Sequence, residues 1–363
     1  MKLIVEPEDG VAPLLAAIKK ARRSVEIAIF RFDRSDLEAA LREAASGGVK
    51  VTALVASASR GAERDLRELE MRFLEAGITV ARSGADLMRY HGKIMIVDRS
   101  VLHLLSFNYT HMDIDHSRGF GIVTKNAKWV QEAVTLLECD SSRRPYVAGP
   151  GSFVVSPANS RKVLGNFLRR ARRQLLIYDP RISDKEMIGI LQDRAKAGVE
   201  IRVIGGVDAR ANLAVGKLTR VRLHTRTIIR DRHQAFVGSQ SLRPVELDSR
   251  REIGLIIREL RVVKKLIDIF EADWASVRKA GEPAVARAEP ADPAKIRAEK
   301  VAEVLVQELH PVTVTVKKAV REAVAQAGEK VLGDKIVKDT VKKIVKQAVK
   351  EAVKEAVRSN KDT

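Results

Sequence analysis

Two stretches of the chain place a histidine, a cation two residues on, and an aspartate five residues after the cation. The first is His91-Gly92-Lys93-Ile94-Met95-Ile96-Val97-Asp98, of the form H-x-K-x4-D, and the second is His224-Thr225-Arg226-Thr227-Ile228-Ile229-Arg230-Asp231. Eight residues after each aspartate comes a serine in a short polar turn: Ser106, followed by Phe107 and Asn108, and Ser239, followed by Gln240 and Ser241. An imidazole serves as nucleophile or general acid because its unperturbed pKa of about 6.5 lies near working pH. A lysine or arginine beside it holds an anionic phosphate. Side chains alternate across a strand, so a strand through each motif turns His91 and Lys93, and likewise His224 and Arg226, to one side. Two such pairs facing one another would form a phosphodiester site that needs no metal.

The elements that must carry these residues repeat as well. Residues 2–5 read as a strand, Val11 to Arg22 as a helix and Val25 to Phe30 as a strand. Asp36 is placed to cap a helix ending at Gly47-Gly48, and Val49 to Val55 form the next strand, giving a parallel pair with a right-handed crossover. Ala21-Arg22-Arg23 returns as Ala171-Arg172-Arg173, and Gly48-Val49 as Gly198-Val199, both at an offset of 150; the histidines are offset by 133. The first half therefore carries an insertion of 17 residues between 61 and 77, read as a helix with Leu66, Leu69, Phe73 and Leu74 on one face. Residues 126–138 read as a helix, 140–151 as a connector, and Val262 to Ala280 as a closing helix anchored by Phe270 and Trp274.

The paired motifs and the duplication resemble the phospholipase D superfamily over residues 1–278. The resemblance implies an α/β, duplicated phospholipase D-like fold, two α-β-α sandwich halves with the site between them, here with a C-terminal helical extension. The expected divisions are 1–140 and 152–279 for the halves, 280–294 for a linker and 295–359 for a basic amphipathic helical tail. It also implies that one histidine attacks phosphorus to give a phosphohistidine while the other protonates the leaving oxygen. His91 is taken as nucleophile and His224 as acid, although the residues themselves do not assign the two. Glu252, in Arg250-Arg251-Glu252-Ile253, stands where the family carries a glutamate, to orient one or both histidines; the matching place in the first half is Gly119, with Asp113 and Asp115 as nearby substitutes. Lys93 and Arg226 would hold nonbridging oxygens. Ser106, Asn108, Ser239 and Ser241 are candidates to hydrogen-bond the phosphate, and Asp98 and Asp231 to support the motif. Arg226 departs from the family lysine, Leu105 from its glycine and Ser241 from its asparagine.

Composition narrows the partners. The formal net charge of +19 and sequence pI near 10.1 favour anionic partners, nucleic acid or an anionic membrane surface. A single cysteine, Cys139, rules out an internal disulfide and points to the cytoplasm. No secretory signal and no apolar run of the length of a spanning helix is evident, so a lipid substrate would be met peripherally at the membrane surface. His103, His111, His116 and His233 lack cysteine partners and helical H-x-x-x-H spacing; no metal or cofactor is expected, and His111 and His116 read as loop or entrance residues. Helices are expected over about 294–309, 315–327 and 335–358, suited to self-association or to an anionic surface. The expected activity is hydrolysis or transfer of phospholipid head groups. The alternatives are a nuclease, suggested by the arginine clusters at 169–173 and 220–232, and a low-activity protein that binds anionic membrane or nucleic acid.

Overall fold

The computed structural model describes residues 1–56, 63–84, 87–149, 151–208 and 213–279. The linker and tail expected after residue 279 lie outside the described residues.

Alternating and continuous runs of Val, Ile and Leu build two sheets of matching order. In the first, Lys2–Glu6 lies beside Ser117–Thr124, followed by Val101–Leu105, Ile94–Val97, Ser24–Ile29, Lys50–Val55 and Thr79–Arg82. The motif strand Ile94–Val97 sits mid-sheet, antiparallel to both Val101–Leu105 and Ser24–Ile29; the next two pairings are parallel, as the strand-helix-strand pattern requires. The second sheet repeats the plan: Phe153–Val155, Ile253–Ile257, Gln234–Gly238, the motif strand Arg226–Arg230, Gln174–Ile182, Glu200–Val207 and Ala214–Lys217, with Arg278–Lys279 added at the edge.

A shared core joins the sheets. It takes Ile94, Ile96, Leu104 and Phe120 from the first half and Tyr178, Ile229, Val237 and Leu255 from the second. The helices Ala127–Ser141 and Leu260–Ser276 pack into it through Val130, Ala133, Leu137, Val263, Leu266 and Phe270. Separate outer cores cover the far face of each sheet, so each half is an α-β-α sandwich whose inner helix layer is held in common.

Several local expectations change. The helix Ser35–Ser46 starts at an Arg34 cap, and Asp36 lies in its first turn, where its carboxylate accepts from Arg34 (3.0 Å to Nε). The insertion forms the helix Glu63–Glu75, but only Leu66, Leu69 and Phe73 face inward; Leu74 is 53% exposed, because the buried stripe is one side chain narrower than the apolar count suggests. The closing helix ends at Ser276 because residues 278–279 are drawn into the sheet edge. His111 and His116 bound a short helix, capped by the Thr110 hydroxyl on the Asp113 N–H, and do not lie in a loop.

Candidate active site

The histidines do not lie within the motif strands. Each stands at a break between two strands: a two-residue strand that pairs with the opposite half, and the motif strand that belongs to its own sheet. Arg89–Tyr90 pairs in parallel with Arg250–Arg251, and Arg222–Leu223 pairs in parallel with the strand that begins at Ser117. The His91 N–H donates to the Arg251 carbonyl (2.8 Å), and the His224 N–H to the Arg118 carbonyl (3.2 Å). Both imidazoles are therefore fixed by backbone from the other half, at the seam between the sheets. Together with Phe30, Arg31, Phe32, Arg89, Asn108 and Arg222, they line a cleft of about 510 Å³.

The cations act alike in the two motifs. Lys93 Nζ donates to the His91 carbonyl (2.7 Å), and Arg226 Nη1 to the His224 carbonyl (2.5 Å). Arginine therefore reaches the same anchor as lysine despite its bulk. Neither cation has a carboxylate partner among the described residues, which leaves its remaining N–H donors for an anion.

The carboxylates are arranged asymmetrically. Glu252, fully buried, accepts the Nδ1 proton of His91 at 2.7 Å. This fixes the tautomer and turns the Nε2 lone pair outward. His224 has no such support. A side chain at Gly119 would begin 2.8 Å from Cδ1 of Phe107, and the His224 Nδ1 is buried without a partner. Glu252 therefore serves one histidine. His224 Nε2 instead lies 3.3 Å from Asp113, whose carboxylate also accepts from the Asn108 amide N–H (2.8 Å), from Asn108 Nδ2 (2.6 Å) and from Arg222. Asp115 turns away, to Arg34 and His111.

Burial sets the proton inventory. Desolvation, with Lys93 and Arg226 adding to it, holds His91 well below the ordinary histidine range; desolvation, Arg226, Lys93 and Arg222 do the same to His224. Both surroundings therefore favour the neutral imidazole. Burial lowers Lys93 to about 7 and raises Glu252 to about 7.

The remaining expected residues divide into one at the cleft and five behind it. Asn108 lines the cleft. The Ser106 hydroxyl oxygen accepts from the Phe120 N–H (2.9 Å), and that of Ser239 from the Ile253 N–H (3.1 Å). Ser241 Oγ donates to Asp179, and its N–H to Glu246 (2.8 Å). These three serines tie the turns after the motif hairpins to neighbouring strands. Asp98 accepts from the N–H groups of Arg22, Arg23 and Ser24, and Asp231 from those of Arg172, Arg173 and Gln174. His103 is a buried strand residue, and His233 is an exposed residue of the turn after the second motif strand, its Nδ1 2.9 Å from the Asp231 carbonyl. Among the described residues no group of three or more His, Cys, Asp or Glu side chains is placed to hold a metal, and no helix is long and apolar enough to cross a membrane.

Phe30, Arg89 and Arg222 join the expected residues at the cleft, and the sequence carries a signal for the two arginines. Both stand two residues before a motif histidine, so the repeated unit is R-x-H-x-[K/R]. Asp113 precedes Glu246 by the same 133 residues that separate the histidines, and both carboxylates cap the turn residue of their half.

A family profile described as "Cardiolipin synthase, PLD-like domain" matches residues 14–140 and 164–274. A polyphosphate kinase of Vibrio vulnificus (strain YJ016) is 24% identical over 293 residues, covering 71% of this chain and 41% of the relative. The chain thus spans about two fifths of the length of the curated relatives it matches. Among solved structures, the polyphosphate kinase from Porphyromonas gingivalis superposes with a TM-score of 0.63 at 22% identity, over 83% of this chain and 55% of that one. The phosphatidylserine synthase of Haemophilus influenzae Rd KW20 superposes with a TM-score of 0.60 at 10% identity, over 85% and 94%. The profile covers both halves and both motifs, and the fold agrees: the chain belongs to the cardiolipin synthase, PLD-like domain family of the phospholipase D superfamily.

Proposed function

We propose that the protein transfers a phosphodiester-linked group through a covalent phosphohistidine, without a metal. The observation that carries this reading is the 2.7 Å bond from His91 Nδ1 to buried Glu252, which points a neutral Nε2 into a cleft that also holds His224. Nε2 of His91 attacks phosphorus, and the P–O bond to the leaving group breaks. His224 gives the leaving oxygen its proton. Water or an alcohol then attacks phosphorus as His224 takes up a proton, and the P–N bond breaks to release His91. Lys93 and Arg226 hold the nonbridging oxygens throughout. The bound anion offsets their charge and so raises the low proton affinity of His224, making it a competent acid when substrate is present.

Phospholipid head groups are the first substrate reading. It is supported by Met112, exposed in the cleft wall, and by Met88, exposed beside Arg89, both suited to a lipid surface. A second reading is a substrate carrying a run of phosphates, a nucleic acid or a condensed phosphate chain. Arg31 and Arg89, within 5.6 and 5.3 Å of the Phe30 ring centre, have no ion-pair partner among the described residues, and the curated relatives are named polyphosphate kinases. The test is product analysis by mass spectrometry in excess EDTA, with mixed phospholipid vesicles and a primary alcohol, single-stranded DNA, or polyphosphate with ADP, beside His91→Ala. Phosphatidic acid or phosphatidyl alcohol made only by the unaltered protein supports the lipid reading. Cleaved DNA or consumed polyphosphate moves the assignment to the second. Equal turnover by His91→Ala overturns the mechanism.

A further inference from the structure

A second cavity, of about 550 Å³, lies at the far end of the second motif strand and is walled by Trp129, Phe167, Arg170, Arg230, Gln234 and Arg258. No aspartate or glutamate lines it, and none of its three arginines forms an ion pair among the described residues. Arg230 is 8% exposed. Its guanidinium centre lies 4.4 Å from the Phe167 ring centre, Nη1 donates to the Phe167 carbonyl (2.9 Å), Nη2 donates to Gln234, and Nε has no partner. Burial, together with the like charges of Arg170 and Arg258, lowers its affinity for a proton despite nearby Asp231.

A buried guanidinium with two further cations beside it and no carboxylate in the wall is costly unless an anion occupies the space. The duplication does not require the group, because the first-half counterpart of Arg230 is Val97. The strand Arg226–Arg230 carries Arg226 of the motif at one end and Arg230 at the other, roughly 13 Å apart at the usual rise per residue. The cavity is thus distinct from the cleft, yet built on the same strand.

We propose that this cavity is a second anion site, which takes a phosphate-bearing ligand on Arg170, Arg230 and Arg258. The indole wall and the volume leave room for a mononucleotide as well as for free phosphate.

The protein has two tryptophans, so fluorescence in a Trp274→Phe background reports Trp129 alone. Inorganic phosphate and AMP are titrated separately in EDTA, and the preferred source is whichever binds more tightly. A saturable change in Trp129 emission is expected, weakened about tenfold or more by the double substitution Arg170→Gln/Arg258→Gln and unaffected by Arg89→Gln in the cleft. In parallel, the ligand raises the melting temperature of the unaltered protein and not that of the double variant. No saturable response to either compound, a response unchanged in the double variant, or one abolished by Arg89→Gln would overturn the proposal.

Discussion

At the scale of single residues the two histidines are unequal, and the proposed roles rest on that inequality. His91 has a carboxylate behind it; His224 has a glycine whose space is filled by Phe107. Glu252→Gln keeps the shape and loses the charge that stabilises an imidazolium-like nitrogen. We expect kcat to fall roughly 10²-fold or more, with melting temperature little changed, as measured by turnover and calorimetry. If turnover survives, Glu252 does not position the nucleophile. The same residues set a pH dependence. The proposed mechanism needs Glu252 ionised and Lys93 charged, and burial brings both to about 7 from opposite directions. Without substrate bound, kcat/KM should therefore rise as Glu252 ionises and fall as Lys93 loses its proton, giving a narrow optimum near pH 7 that belongs to the coupled set. Lys93→Arg, which stays charged, should move the alkaline limb upward; an unmoved limb would mean that another group controls it.

At the scale of elements the motif aspartates act as staples. Val97 to Ser100 and Arg230 to His233 are tight hairpin turns with two consecutive left-handed residues: Asp98 and Arg99 at φ of 52° and 48°, Asp231 and Arg232 at 51° and 62°. From that position each carboxylate gathers three backbone N–H groups at the start of a neighbouring strand. Burial alone would raise the pKa of each aspartate; the N–H donors outweigh it and hold both below the ordinary range. Folding therefore depresses these pKa values, so their stabilisation is present above the unfolded value near 3.9 and is lost as pH falls through the folded one. Asp98→Ala or Asp231→Ala should cost about 1–3 kcal/mol in urea unfolding at pH 7, and the difference from the unaltered protein should shrink in acid. A difference that is constant with pH would show that the charge is not the source.

At the scale of the molecule the halves are locked by a pair of related contacts. Arg118 binds Asp273 of the opposite half (2.9 Å), and Arg251 binds Asp140 of the opposite half (2.9 Å). Each arginine immediately precedes Gly119 or Glu252, and each aspartate lies near the C-terminal end of a central helix. The arginine backbone carbonyls are the same ones that receive the histidine N–H groups. Anchoring the halves and positioning the imidazoles are thus one structural act. Arg118→Ala leaves Asp273 buried with Tyr178 as a remaining donor (2.8 Å), and should cost about 3–5 kcal/mol, read as a lower urea midpoint. A loss of kcat larger than that caused by a comparably destabilising change in the outer cores, such as Leu14→Ala, would tie the lock to the chemistry.

The primary structure by itself determined the duplication, the two sheets and the identity of the imidazoles and cations, because strand periodicity and fixed spacing are local and repeat along the chain. It did not determine how the halves meet. The strand break at each histidine depends on pairing with backbone more than a hundred residues away, as does the meeting of His91 with Glu252, 161 residues apart. The use of three turn serines as strand ties, the lodging of Asp113 against His224 and the gathering of Arg170, Arg230 and Arg258 around one cavity also arise only when the sheets pack, because burial and distance between remote residues are properties of the fold.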